Sequence, residues 1–320
     1  MFTNLITSAI ALSAVFLFGC VGEILTEKSG NLNLGIPGTM CMGAAGGCWC
    51  VSLYMGSFNE HPVGVLLILF GIVGAVAFAM FAGLIYSFLT STLKCNQNIT
   101  GLAITIFGTG FTQFFMTNFA DVTYYDAASK IIAAKLPFAS QLGWFGEVFL
   151  SYGVLTYLAI AIAVCAALFL NRTKPGLHLR AVGENPATAD AAGISVTKYK
   201  YLATLIGSGI AGLGGFFYIM DYIGGSWENA YTIEALGWLS VALVIFTLWR
   251  PNLSILGSIL FAMLYIFAFK INGISLVARL VLNLLPYVIT IIVLIITSIF
   301  GSKSVQPPAS LGLNYFREER

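Results

Sequence analysis

Residues 61–93 read HPVGVLLILFGIVGAVAFAMFAGLIYSFLTSTL, 33 consecutive positions without Asp, Glu, Lys or Arg. A helix crossing about 30 Å of hydrocarbon needs about 20 such residues, because no water is present there to satisfy its backbone groups. The run is too long for one straight helix and too short for two, which predicts a tilted, broken or re-entrant helix. Residues 29–59 carry the same prediction. Further uncharged runs cover residues 1–22, 95–120, 148–171, 201–220, 235–249, 251–269 and 280–302. The expected fold is all-α, a polytopic transmembrane helical bundle of about nine spans, bracketed by about eight and ten.

Composition agrees with this reading. Of the 320 residues 58% are hydrophobic and 9% charged, against about 25% charged in soluble domains. The net charge of +2 supplies no basic field for nucleic acid, so the expected surroundings are membrane lipid and protein. The first run lacks the basic n-region of a signal peptide and is read as an uncleaved span. Six cysteines lie mostly in apolar runs and are read as packing residues. Cys48-Trp49-Cys50 has no zinc spacing, and no metal site is expected.

Lys and Arg concentrate on the cytoplasmic side of membrane proteins, and the densest basic stretch holds Arg172, Lys174, Arg180, Lys198 and Lys200. Alternating spans outward from it place Lys28, Lys94, Arg250, Lys303, Arg317 and Arg320 inside. Lys130, Lys135, Lys270 and Arg279 fall outside. Residues 1–302 then form one transmembrane domain, with a cytoplasmic loop at 172–200 and an external segment at 118–147. Residues 303–320 form a short solvated cytoplasmic tail. The external segment mixes Asp121, Tyr124, Tyr125, Asp126, Lys130 and Lys135 with apolar residues at helical spacing. It is expected to lie on the membrane as an amphipathic helix, either a plain cap or a docking face.

The cytoplasmic loop carries its own folding instructions. Asn185 is placed to cap a helix that opens with Pro186, where a missing backbone donor costs nothing. Ala187, Ala189, Ala191 and Ala192 extend it, Gly193 stops it in the left-handed region, and Ser195 starts the next helix. Such a short, small-residue helix suits insertion into a groove on a soluble partner. The alternative from spacing alone is an ordinary ordered loop.

The string 176–186, GLHLRAVGENP, followed by Ala191-Ala192-Gly193-Ile194, resembles the coupling-loop signature of the ribose and branched-chain amino-acid branch of bacterial ABC importer permeases. Residues 31–38, NLNLGIPG, resemble that branch's NLGxxG element, with proline where glutamate is frequent. Asn98-Ile99-Thr100-Gly101 resembles its central motif. The ending 311–320, LGLNYFREER, looks like the tail of nucleoside and simple-sugar permeases, where proline more often precedes the tyrosine. The resemblance covers nearly the whole chain. It implies that Arg180, Gly183, Glu184, Asn185, Pro186, Ala187, Ala191, Ala192 and Gly193 meet a cytoplasmic ABC ATPase. It also implies a second, related but different permease chain, an extracytoplasmic substrate-binding lipoprotein, and a location in the bacterial cytoplasmic (inner) membrane. The implied cargo is nucleosides, or simple sugars such as ribose.

The chain has no phosphate loop of the GxxxxGK[ST] kind, so ATP and Mg are expected on the partner ATPase and no cofactor or catalytic residue on this chain. The substrate path is expected where polar residues and broken helices interrupt the apolar runs. Candidates are Asn31, Asn33, Gly35 and Gly38 at a half-helix start, the motif residues Asn98 and Thr100, and Thr105, Thr109, Thr112 and Gln113 on one face. Glu228, beside Trp227, Asn229 and Tyr231, is a candidate external gate. Helix packing and an aromatic belt are the competing explanations. His61 and His178 read as loop histidines. The rival function is a stand-alone secondary transporter or channel for a small polar solute. It requires intramembrane acids, of which the spans look nearly free.

Overall fold

A computed structural model describes residues 2–58, 62–135, 143–271, 273, 275–300 and 306–316. Four helices open the chain: α1 (Phe2–Glu27), α2 (Ile36–Phe58), α3 (Gly64–Ser87) and α4 (Gln97–Phe119). Short helices α5 (Tyr125–Ile132) and α6 (Gly143–Phe149) follow. Then come α7 (Val154–Arg172), α8 (Lys174–Glu184), α9 (Pro186–Ala191), α10 (Val196–Phe217), α11 (Ala230–Phe246), α12 (Pro251–Lys270), α13 (Leu276–Leu282) and α14 (Leu285–Phe300). Eight helical stretches among the described residues are long and apolar enough to cross a membrane, α13 and α14 forming the last of them together. The 17-residue α11 reaches the lower limit of about 17 residues for a span. Eight spans, or nine with α11, fall within the bracket of about eight to ten that the uncharged runs predict.

The two overlong runs resolve differently. Residues 31–33 are non-helical and belong to the connection from α1, and α2 then runs without interruption from Ile36 to Phe58, so the 29–59 run is a connector followed by one helix and not a broken helix. The second continues as one helix from Gly64 to Thr92, its last turn widened to a π-helix at Phe88–Thr92. Pro62 lies ahead of this helix, and its internal glycines Gly71, Gly74 and Gly83 serve close packing rather than a break.

Helix α2 is the buried centre, packed against α3, α4, α10 and α11, while α1 packs against α10, α12, α11 and α7. In a bilayer the lipid is as apolar as leucine, so helices associate through close backbone approach at small residues. Gly43 of α2 lies against the backbone of Gly212 on α10, and Gly46 against that of Gly74 on α3, leaving no room for a methyl group. The last span is the most peripheral, with Leu276, Val277, Ile295 and Ile299 exposed.

Two polar ends bound the bundle. At one end Gly183 touches the Lys28 backbone, Asn314 donates to the Lys94 carbonyl, and Trp249 bonds Glu27. At the other, Gly153 meets Ala133 and Asp221, and Gly225 meets the Tyr125 backbone. The basic residues assigned to one side by alternation therefore gather at one end; Lys303, Arg317 and Arg320 lie outside the described residues, as does His61. Helix α5 is amphipathic, with Asp126 and Lys130 paired at 2.6 Å on its exposed face. Its inner face, Tyr125, Ala128 and Ile132, is buried and packs against α2 and α3. It is thus a protein cap on the bundle rather than a helix resting on lipid alone, because its apolar side finds protein to cover.

Candidate functional site

The 172–200 segment folds as its local signals dictate, with one helix more than expected. Thr173 caps α8 by accepting from the Gly176 amide at 3.1 Å, with Pro175 in the first turn. His178 is therefore on a helix, where its Nδ1 pairs with the Tyr199 hydroxyl at 2.9 Å, and not in a loop. Asn185 then accepts from the Thr188 amide at 3.0 Å, Pro186 opens α9, and Gly193 takes φ +81°. Ser195 precedes α10 without a side-chain cap bond.

One face of this small helix looks outward. Glu184, Asn185, Ala187, Ala191, Ala192 and Gly193 are exposed, while Pro186 and Arg180 are half-buried. The underside is fixed: Ala189, Val182 and Val196 form a buried cluster with Ile194, Tyr199 and Tyr315. Gly183 is buried against the turn after α1, where a Cβ would strike the Lys28 carbonyl. Burial holds the Lys28 ammonium below the usual lysine value; nearby Glu184 opposes that shift and Arg180 reinforces it.

The tail is a strap, which corrects the expectation of a solvated extension. The Ser310 amide donates to Gly183 O at 3.0 Å and the Gly312 amide to Gly30 O at 3.1 Å. Asn314 Nδ2 donates to Lys94 O at 2.7 Å, and the Tyr315 hydroxyl to Asp190 at 2.9 Å. Each backbone group would otherwise be left unpaired under the segment that covers it. Residues 303–305 and 317–320 lie outside the described residues.

The strap touches the buried polar segment that precedes α2. Gln97 Nε2 donates to Asn314 Oδ1 at 3.3 Å, while its Oε1 accepts from the Leu32 amide at 2.7 Å. Tyr86 donates to Leu32 O at 2.6 Å. Asn31 Nδ2 donates to Thr204 at 3.1 Å, and Asn33 Oδ1 accepts from the Gly35 amide at 2.9 Å. The other polar atoms of both side chains, Asn31 Oδ1 and Asn33 Nδ2, are buried without a partner. Continuous contacts thus run from Asp190 on α9 through Tyr315, Asn314 and Gln97 to Leu32.

The remaining path candidates separate into two groups. Thr105 donates to Leu34 O at 2.8 Å, Thr109 contacts Cys41, and Gly38 and Gly35 pack on Ile104. Gln113 accepts from the Ala230 amide at 3.1 Å, and Thr112 is buried with an unpartnered hydroxyl. Thr100 is buried and bonds Asn96 O at 2.8 Å. These residues share the face of α4 turned to α2 and the 31–35 segment. Asn98 and Glu228 are exposed and stand apart from them; beside Glu228, Asn229 caps α11.

The spans are less free of acids than charge counting suggests. Glu23 and Glu27 of α1 are both buried, Glu23 accepting from the Asn33 amide at 3.1 Å and Glu27 from the Trp249 indole. Their i,i+4 spacing, one turn beyond the first uncharged run, is the signal that reveals them.

Residues 5–298 match the family described as branched-chain amino acid transport system, permease component. A Haloferax volcanii protein named as a glucose ABC transporter permease is 32% identical over 275 residues, spanning 85% of this chain and 79% of its own. A nucleoside ABC transporter permease of Lactococcus lactis is 30% identical over 319 residues, spanning 98% and 97%. A guanosine ABC transporter permease of Bacillus subtilis is 26% identical over 332 residues, spanning 99% and 97%.

Proposed function

This chain belongs to the permease components of the branched-chain amino acid transport system family, and from that premise we propose that it imports nucleosides across the bacterial inner membrane. It is a multi-pass permease subunit of an ABC transporter.

The Lactococcus lactis and Bacillus subtilis relatives named for nucleoside and guanosine transport align over 98% and 99% of the chain. A simple sugar is the second reading, favoured by the glucose-named relative. ATP and Mg belong to a separate cytoplasmic ATPase, whose groove receives α9. A related second permease completes the pathway, and a substrate-binding lipoprotein delivers cargo at the α5–α6 end. The basic residues gathered at the α8–α9 end support placing that end in the cytoplasm.

The observation that carries this reading is the exposed, doubly anchored α9. Closure of the ATPase dimer would displace α9, and the strap and Gln97 would pass that movement to Leu32, Asn31 and Asn33. The 31–35 segment, held by Thr105 and Gln97, would form one wall of the path and open or close it by alternating access.

Reconstitution of the chain with its partners in proteoliposomes tests the proposal, with uptake of labelled guanosine and labelled ribose measured with and without ATP. Guanosine uptake that requires ATP is expected. Pro186→Trp and Glu184→Trp should abolish it while leaving the amount of inserted protein unchanged. Uptake by the chain alone without ATP would favour the stand-alone transporter.

A further inference from the structure

We propose that the cleft between α7, α8 and α10 binds an anionic phospholipid, one acyl chain lying along α10 and the phosphate meeting Lys198. The cleft holds about 580 Å³ and is backed by Leu25 of α1. Its walls include Ile162 and Phe169 of α7, Leu179 of α8, and Leu202 and Ile206 of α10. Leu202 and Ile206 are exposed on the outer face of the bundle, so the cleft opens sideways to the bilayer. Helix α8 closes it at the polar end with Pro175 and Leu179.

The charge at that end selects the ligand. Lys198 is the one charged residue of the lining, and Arg172 and Lys174 are exposed at the adjoining α7–α8 junction. None of these three cations forms an ion pair among the described residues. The acids of the same segment are turned to the strap, Glu184 toward the Ala309 amide and Asp190 toward Tyr315. An apolar trough at bilayer depth ending in unpaired cations is complementary to a chain with an anionic head. A free polar solute would leave the apolar walls to water, and a zwitterionic lipid, whose phosphate is balanced by its own choline, would leave the excess positive charge of Lys198, Arg172 and Lys174 uncompensated. The inference stands independently of the transported cargo.

Cys165, exposed and part of the lining, is a built-in reporter. The full chain with its partner subunits is assembled in nanodiscs containing equal phosphatidylglycerol and phosphatidylcholine. Lipid retained after detergent extraction is quantified by mass spectrometry, and Cys165 modification by a membrane-permeant maleimide is timed by peptide mapping. Retention of phosphatidylglycerol over phosphatidylcholine is expected. Lys198→Glu should lower that preference by about fivefold or more, since each basic residue near an anionic headgroup contributes roughly a fivefold preference and the variant also reverses the charge. Ile206→Trp, which fills the trough from its exposed side, should release both lipids. Should Lys198→Glu fail to accumulate, Lys198→Gln gives the same reading with a smaller loss. Equal retention of the two lipids, an undiminished preference in the Lys198 variant, or cross-linking of Cys165 to a neighbouring subunit would overturn the assignment.

Discussion

Glu23 and Glu27 occupy one face of α1, and each receives a hydrogen bond from a group distant in sequence, the Asn33 amide and the Trp249 indole. Such donors offset part of the cost of burying a carboxylate, although Glu23 Oε2 itself has no partner among the described residues. Gln97 has the equivalent task for the backbone, because its two ends serve Leu32 and Asn314 at once. Gln97→Leu leaves the Leu32 amide buried without an acceptor and should lower stability by about 1–3 kcal/mol. Gln97→Glu keeps the acceptor for Leu32 but loses the donor to Asn314, and should fall between the two. Thermal unfolding in detergent, with all three proteins side by side, measures this order. Equal stability of Gln97→Leu and the native chain would contradict the bridging role. An uncharged run stops where a charge appears, whereas α1 continues past Gly22 and buries Glu23 on the next turn; Gln97 lies inside such a run, and its partners Leu32 and Asn314 are 65 and 217 positions away.

Helices differ in how far their local signals reach. The features of α9 were readable residue by residue, since Asn185, Pro186 and Gly193 act on neighbours within four positions. The α8 helix rests on equally local signals, the cap Thr173 and Pro175 in its first turn. Contacts between helices were not readable in this way. Gly43 and Gly110 look alike in sequence, yet Gly43 lies against the backbone of Gly212 while a Cβ on Gly110 would meet nothing within 4 Å. Gly43→Val should therefore separate α2 from α10 and cost about 1–3 kcal/mol or more, whereas Gly110→Ala should be neutral or stabilise by up to about 1 kcal/mol. Membrane-inserted yield and unfolding temperature distinguish the two, and a reversed order would contradict the packing described.

For the whole molecule, the strap ties three connections at one end into a single body: the turn after α1, the α3–α4 loop and the α8–α9 segment. Removing residues 306–320 should leave the spans inserted, because each buries or exposes its own apolar surface without the strap. ATP-driven uptake should nevertheless fall to background, since α9 loses its link to the 31–35 segment. Uptake in proteoliposomes, normalised to inserted protein, is the measurement; full activity of the truncated chain would remove the strap from the mechanism. A milder variant, Asn314→Ala with Tyr315→Phe, should reduce uptake in the same direction with membrane abundance unchanged.

The linear chain by itself determined the helical class, the bracket on the span count, the gathering of basic residues and the caps of α9. Each depends on hydrophobicity summed over a span or on bonds between near neighbours. Only the tertiary structure decided that Gly64–Thr92 continues unbroken, that α5 caps protein, that the tail docks, and that two glutamates are buried in α1. Those outcomes rest on donors and surfaces tens to hundreds of residues away, such as Trp249 for Glu27 or Gly183 for Ser310. No local pattern encodes which distant group will arrive.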